Sequence, residues 1–221
     1  MTDLQQIIHQ FCIRGEVQSI ECFGCGHINS TYRVRCCDGQ EHLCYTLQKI
    51  NTQVFHNPME LMANVQGVTA HLRKKILLEG GDPDRETLTV VPTLDGSVLY
   101  QAQGETWRVY TFIEDAVSFE SAEQHPQIFY NAAQSFGRFQ KRLADYPAHT
   151  LYETIPNFHN TAKRFQDFLK AVEEDCCGRA NQVSQEIAFI QAREKDCSVV
   201  VDLIHQGQLP LCVTHNDTKL N

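Results

Sequence analysis

His215, Asp217 and Lys219 form an H-x-D-x-K spacing after the apolar approach Leu211-Cys-Val-Thr214. Those residue types at that spacing suit phosphoryl transfer. An Asp orients an acceptor hydroxyl and takes its proton, and a Lys two residues later reaches the transferred phosphate. In that layout a metal-binding Asn falls five residues after the Asp, here position 222, one past Asn221. The expectation is a chain cut just before its first metal ligand, with no metal ligand of its own. Metal and positioning supply most of the acceleration in this chemistry, so negligible turnover is expected of the chain alone.

Phosphates need a cradle, and Phe23-Gly-Cys-Gly-His-Ile-Asn-Ser-Thr-Tyr32 is one candidate. Glycines such as Gly24 and Gly26 let a backbone approach phosphate oxygens closely, although a G-x-G between strands also serves as an ordinary tight turn. In the strand Tyr45-Thr-Leu-Gln-Lys49, alternation puts Leu43, Tyr45, Leu47 and Lys49 on one face. Leu47 would then pack on a base while Lys49 meets phosphate. A one-residue slip exchanges Lys49 for Gln48, and Lys49 is the residue taken here. Glu60 is the acid on the following helix available to pair with Lys49, and it also suits a capping box with Asn57.

The elements that must hold these groups follow from periodicity and turn chemistry. Residues 4–13 read as an amphipathic helix, and 17–23, 30–37 and 42–50 as strands, with Asp38-Gly39 turning the last two into a hairpin. Asn57 as N-cap and Pro58 at the first helical position start a long helix. Its stripe runs Leu61, Val65, Val68, Leu72, Ile76, and Gly80-Gly81 stops it. Residues 87–92 and 97–101 read as a strand pair joined through Asp95-Gly96, followed by a strand over 107–113. Three helical stripes complete the chain: Ile128 to Leu143, Ala162 to Val172, and Val183 to Ile204, the last interrupted by Glu194. A sheet-rich half followed by a helical half predicts an α+β fold of two lobes, 1–113 and 114–221, with a hinge near 113–116.

Composition narrows the function classes. The chain has 221 residues, 42% hydrophobic, and a net charge of −8 without a basic run, which argues against general nucleic-acid or anionic-membrane binding. It lacks an 18-residue apolar stretch, and its N-terminus lacks the features of a secretory signal, so a cytoplasmic protein is expected. Ten cysteines include Cys22/Cys25 and the adjacent pair Cys36/Cys37. Adjacent cysteines lack the two-residue gap of a zinc knuckle, so reduced thiols packed as small apolar side chains are the favoured reading over zinc.

Five segments, taken in order, resemble the aminoglycoside-phosphotransferase and choline-kinase superfamily, small-molecule kinases with the protein-kinase fold. They are Gly26-His-Ile-Asn-Ser-Thr-Tyr32, Leu47-Gln-Lys-Ile-Asn51, Val54-Phe-His-Asn-Pro58, Glu153-Thr-Ile-Pro-Asn-Phe-His-Asn-Thr161 and Thr214-His-Asn-Asp-Thr-Lys219. Within the superfamily the chain is most similar to N-acetylhexosamine 1-kinases. The resemblance implies ATP and Mg2+ as cofactors and an N-acetylated hexosamine as acceptor, phosphorylated at its anomeric hydroxyl. It implies Asp217 as the catalytic Asp, also contacting substrate, with His215 bracing the loop and Lys219 toward phosphate. Gly24, Gly26 and Asn29 would cover the nucleotide phosphates, with Lys49 and Glu60 behind them. Thr111 and Ile113 would offer hinge backbone to adenine, and His27 would reach toward the sugar. The rival readings are a kinase of another small alcohol, sugar or aminoglycoside, a non-catalytic nucleotide-binding fragment, and a zinc module.

Overall fold

A computed structural model describes residues 3–24, 28–116 and 126–216. The chain begins with α1 (Leu4–Ile8), capped by the Asp3 carboxylate, which accepts from the Gln5 N–H at 2.9 Å. This helix is shorter than the 4–13 pattern. Phe11 leaves it to bridge Thr93, and the Cys12 N–H donates to the Pro92 carbonyl at 2.8 Å. An apolar side chain at helical spacing is thus drawn into an isolated bridge instead.

Three antiparallel strands follow: β1 (Glu16–Cys22), β2 (Ser30–Asp38) and β3 (Glu41–Ile50). The β2–β3 hairpin closes where expected, with Asp38 opposite Glu41 and Gly39 at a φ of 64°. Then comes α2 (Pro58–Leu78), whose N-cap Asn57 accepts from the Glu60 N–H at 3.3 Å. The short α3 (Pro83–Glu86) leads to β4 (Val90–Val91), β5 (Tyr100–Ala102) and β6 (Glu105–Thr111). The segments expected to pair as 87–92 with 97–101 do not form a ladder with each other. Both β4 and β5 lie along one edge of β6, while β3 takes the other edge. The sheet order is β1-β2-β3-β6-β4, with β5 beside β4 on the β6 edge.

Side chains directly opposite in an antiparallel ladder share a face. One face carries Val34, Leu47, Trp107 and Val109, and α1 covers it with Ile7 and Ile8; Leu47 and Val109 are fully buried. Each such side chain stabilises the fold by about 1.5–3 kcal/mol on transfer from water. The other face carries Ile50, which packs with Leu99 and with Met62 of α2. Met62 is fully buried although it lies outside the sequence stripe.

The chain clusters into two compact units, residues 1–154 with 212–221, and Ile155–Leu211. The first unit also holds α4 (Pro126–Arg142), after which Leu143 packs on Leu72 and Ile76 of α2. The second contains α5 (Thr161–Glu174), α6 (Ser184–Gln191) and α7 (Val199–His205). The stripe expected from Val183 to Ile204 is therefore two helices separated by a tight turn over Glu194–Asp196. Phe165 of α5 is buried, whereas Phe189 and Val200 are exposed. Among the described residues no helix is long and apolar enough to cross a membrane.

Candidate functional site

Val213 carries the last described segment back onto the first unit, packing on the Leu72, Ile76 and Leu143 cluster. His215 then sets its ring edge-on to two aromatic rings of α4, Phe136 at 5.1 Å and Phe139 at 5.9 Å. Asn216 adopts a left-handed φ of 30°, and its side-chain oxygen accepts from the Thr214 hydroxyl at 2.7 Å. The apolar approach 211–214 is irregular. Asp217 and Lys219 lie outside the described residues. A cavity of about 430 Å³ opens beside His215, lined by Leu72, Phe136, Phe139, Arg85 and Arg142. Arg142 is tied there to both Glu79 and Glu86, each at 2.8 Å.

At the glycine turn, Gly24 sits at a φ of 80°, in the left-handed region that favours glycine. Gly26 and His27 lie outside the described residues. The Phe23 N–H donates to the Thr31 carbonyl at 2.9 Å and closes the turn at its base. Asn29 accepts from the Asn51 N–H at 2.9 Å, which ties the turn to the residue just after β3.

The β3 register separates Lys49 from Gln48. Ser30, Lys49 and Trp107 lie in one row across three strands, and Thr31, Gln48 and Arg108 in the next. The Lys49 row is on the α1 side of the sheet. There the Lys49 ammonium pairs with Glu105 at 3.1 Å and lies 6.0 Å from the Trp107 ring centre. The structure brings Lys49 to Glu105 and not to Glu60. Among the described residues Glu60 makes no ion pair. Leu47, expected against a base, is enclosed in the α1-side core.

On the α2 side, the Gln48 carboxamide oxygen accepts from Arg108 Nε at 2.9 Å and Nη2 at 2.6 Å. Its amide nitrogen donates to the Thr31 hydroxyl at 2.9 Å, so both ends of the amide are held. Arg108 Nη1 meets the Met62 sulfur at 3.6 Å, and the guanidinium lies 5.1 Å from the Tyr110 ring centre. Burial pulls the Arg108 pKa below the ordinary arginine value, and among the described residues it has no carboxylate partner. Sequence reading passed over Arg108 because a lone Arg in a strand carries no spacing signal.

At the end of β6, the Thr111 N–H is taken by the Thr89 carbonyl and the Phe112 N–H by the Cys44 carbonyl, each at 2.9 Å. Ile113 follows without regular structure. Arg33 was also missed. Its guanidinium lies 4.4 Å from the Phe112 ring centre and pairs with Glu114 at 2.9 Å, while Nε reaches the Cys44 sulfur at 3.2 Å. Among the described residues no group of His, Cys, Asp or Glu is placed to hold a metal ion.

No family model matches the sequence. Among solved structures, the chain is similar to spectinomycin phosphotransferase, APH(9)-Ia, in complex with ADP and spectinomycin. The likeness has a TM-score of 0.42 and 12% identity, covering 88% of this chain and 57% of that one. The chain thus spans 57% of the length of that phosphotransferase.

Proposed function

We propose that the chain belongs to an ATP-dependent phosphotransferase of kinase-like fold that phosphorylates a small-molecule hydroxyl. The favoured acceptor is the anomeric hydroxyl of an N-acetylhexosamine. The observation that carries this reading is the seating of His215 against Phe136 and Phe139, which anchors the segment leading into Asp217 and Lys219. An H-x-D loop serves phosphoryl transfer only when the loop is held in place, because positioning supplies much of the effect.

In this proposal Asp217 orients the acceptor hydroxyl and takes its proton, and Lys219 approaches the transferred phosphate. Gly24, Gly26 and Asn29 shape the turn over the nucleotide, and Thr111 and Ile113 border adenine. His27 reaches the acceptor. The lobe division at 113/114 belongs to the same proposal. ATP would supply the phosphoryl group, and Mg2+ would neutralise its charge. The described residues offer no donor set for Mg2+, and no step is derived through it.

Calorimetric titration with ATP, beside an acceptor panel followed by phosphorus NMR, tests the reading. Nucleotide binding that Asp217→Asn leaves intact is expected, together with an anomeric sugar phosphate that the same variant fails to form. A protein that binds no nucleotide sinks the proposal. Phosphorylation of an aminoglycoside or amino alcohol in place of the sugar would keep the reaction and replace the acceptor.

A further inference from the structure

The β3 position facing α2 holds a neutral amide, and the lysine beside it is turned to the α1 side and paired with Glu105. A nucleotide on the α2 side would therefore meet no cation from β3. Arg33 and Arg35 of β2 share that face, but they pair with Glu114 and Glu21, whereas Arg108 stands one strand over from Gln48 and in register with it. Resting on the phosphotransferase reading above, we infer that Arg108 is the phosphate-binding cation of the nucleotide site, presented by Gln48 in place of a β3 lysine.

Three features of the surroundings carry this. The Gln48 amide is fixed at both ends, so it offers Arg108 one acceptor in one place. That fork uses Nε and Nη2, and among the described residues Nη1 meets a thioether, a weak acceptor. A guanidinium has five N–H donors, so donors remain for a stronger anionic acceptor, and a phosphate takes a guanidinium fork well. Finally, the row Thr31–Gln48–Arg108 starts on the strand that leaves the glycine turn, two residues after Asn29. A half-buried cation with no carboxylate beside it among the described residues is costly unless an anion completes it.

The test is calorimetric titration of ADP and, separately, of adenosine into wild type, Arg108→Met, and the exchange variant Gln48→Arg/Arg108→Gln, with a thermal melt of each. Methionine keeps the bulk against Met62 and removes the charge. The expected result is an ADP affinity lowered about tenfold to a hundredfold in R108M. Adenosine affinity should be unchanged, and ADP affinity largely regained in the exchange variant. Equal ADP affinity in wild type and R108M overturns the inference, as does equal loss of ADP and adenosine, which marks a purely structural tie. Should R108M not fold, the exchange variant decides: ADP binding above adenosine binding supports the inference, and parity overturns it. A wild-type protein that binds neither ligand removes the phosphotransferase reading and this inference together.

Discussion

Gln48 and Arg108 face one another across β3 and β6, and a single carboxamide oxygen of Gln48 takes both Nε and Nη2 of Arg108, at 2.9 and 2.6 Å. The pair sits on the side of the sheet where Met62 of α2 packs, so a polar contact joins three elements in a half-buried setting.

Removing the acceptor should therefore cost more than an ordinary surface substitution. Gln48→Leu leaves a partly desolvated guanidinium without its oxygen, and a loss of about 2 kcal/mol is expected. Urea denaturation followed by circular dichroism measures it; a change within about 0.5 kcal/mol would mean solvent readily replaces the amide.

The two faces of β3 should respond very differently to truncation. Leu47→Ala opens a cavity in the α1-side core, where Leu47 is fully buried, and should cost about 2–5 kcal/mol. Lys49→Ala removes a partly exposed pair with Glu105 and should cost less than about 1 kcal/mol. Comparable losses in the two unfolding curves would contradict the register.

The acid side of the stability profile should depend on Asp145. Its pKa is held below the carboxylate value of 3.8, first by the hydrogen bond from Lys75 and then by the charges of Lys75 and His71. A carboxylate depressed in the folded state stabilises it above the unfolded pKa, and that contribution fades as pH falls through the folded pKa. Wild type should thus exceed Asp145→Asn in stability at neutral pH, with the gap closing below the ordinary carboxylate range. Added salt should narrow the neutral gap, since both groups are solvent-accessible. Melts from pH 7 downward check the sign.

Thiol reactivity should divide by burial. Burial is the largest influence raising the Cys36 and Cys44 thiols, which disfavours the reactive thiolate. Cys12, Cys22, Cys176, Cys177 and Cys212 are exposed. Maleimide labelling of the native protein, mapped by mass spectrometry, should mark these five quickly and reach Cys36 and Cys44 only on unfolding. Early labelling of Cys44 would show that Arg33, rather than burial, governs it.

The loop at His215 should loosen without its ring. His215→Ala removes two edge-to-face contacts worth about 0.5–1.5 kcal/mol each. Amide exchange over residues 213–216 should rise while the β2–β3 hairpin is unaffected. Unchanged exchange in that segment would assign the anchoring to Val213 instead.

Much of the local structure was legible in the residues. Asp38-Gly39 marked the hairpin because its turn needs a left-handed backbone, and Asn57-Pro58 marked the start of α2 because caps act within one turn. The alternation along β3 likewise separated Leu47 and Lys49 from Gln48. Alternation states that a strand has two faces, though, and says nothing of what covers each. That was decided by α1, by α2 and by β6, which lies some sixty residues away along the chain and sets Arg108 opposite Gln48. The strand pair that did not form has a nearer cause: β5 turns directly into β6 through Gln103-Gly104, and β4 takes the rest of the same β6 edge. The sequence by itself thus determined the turns, the caps and the H-x-D spacing, which depend on neighbours in the chain. The tertiary structure alone decided which side of β3 meets α2 and which cation stands opposite Gln48, because register and burial are set by partners remote in sequence.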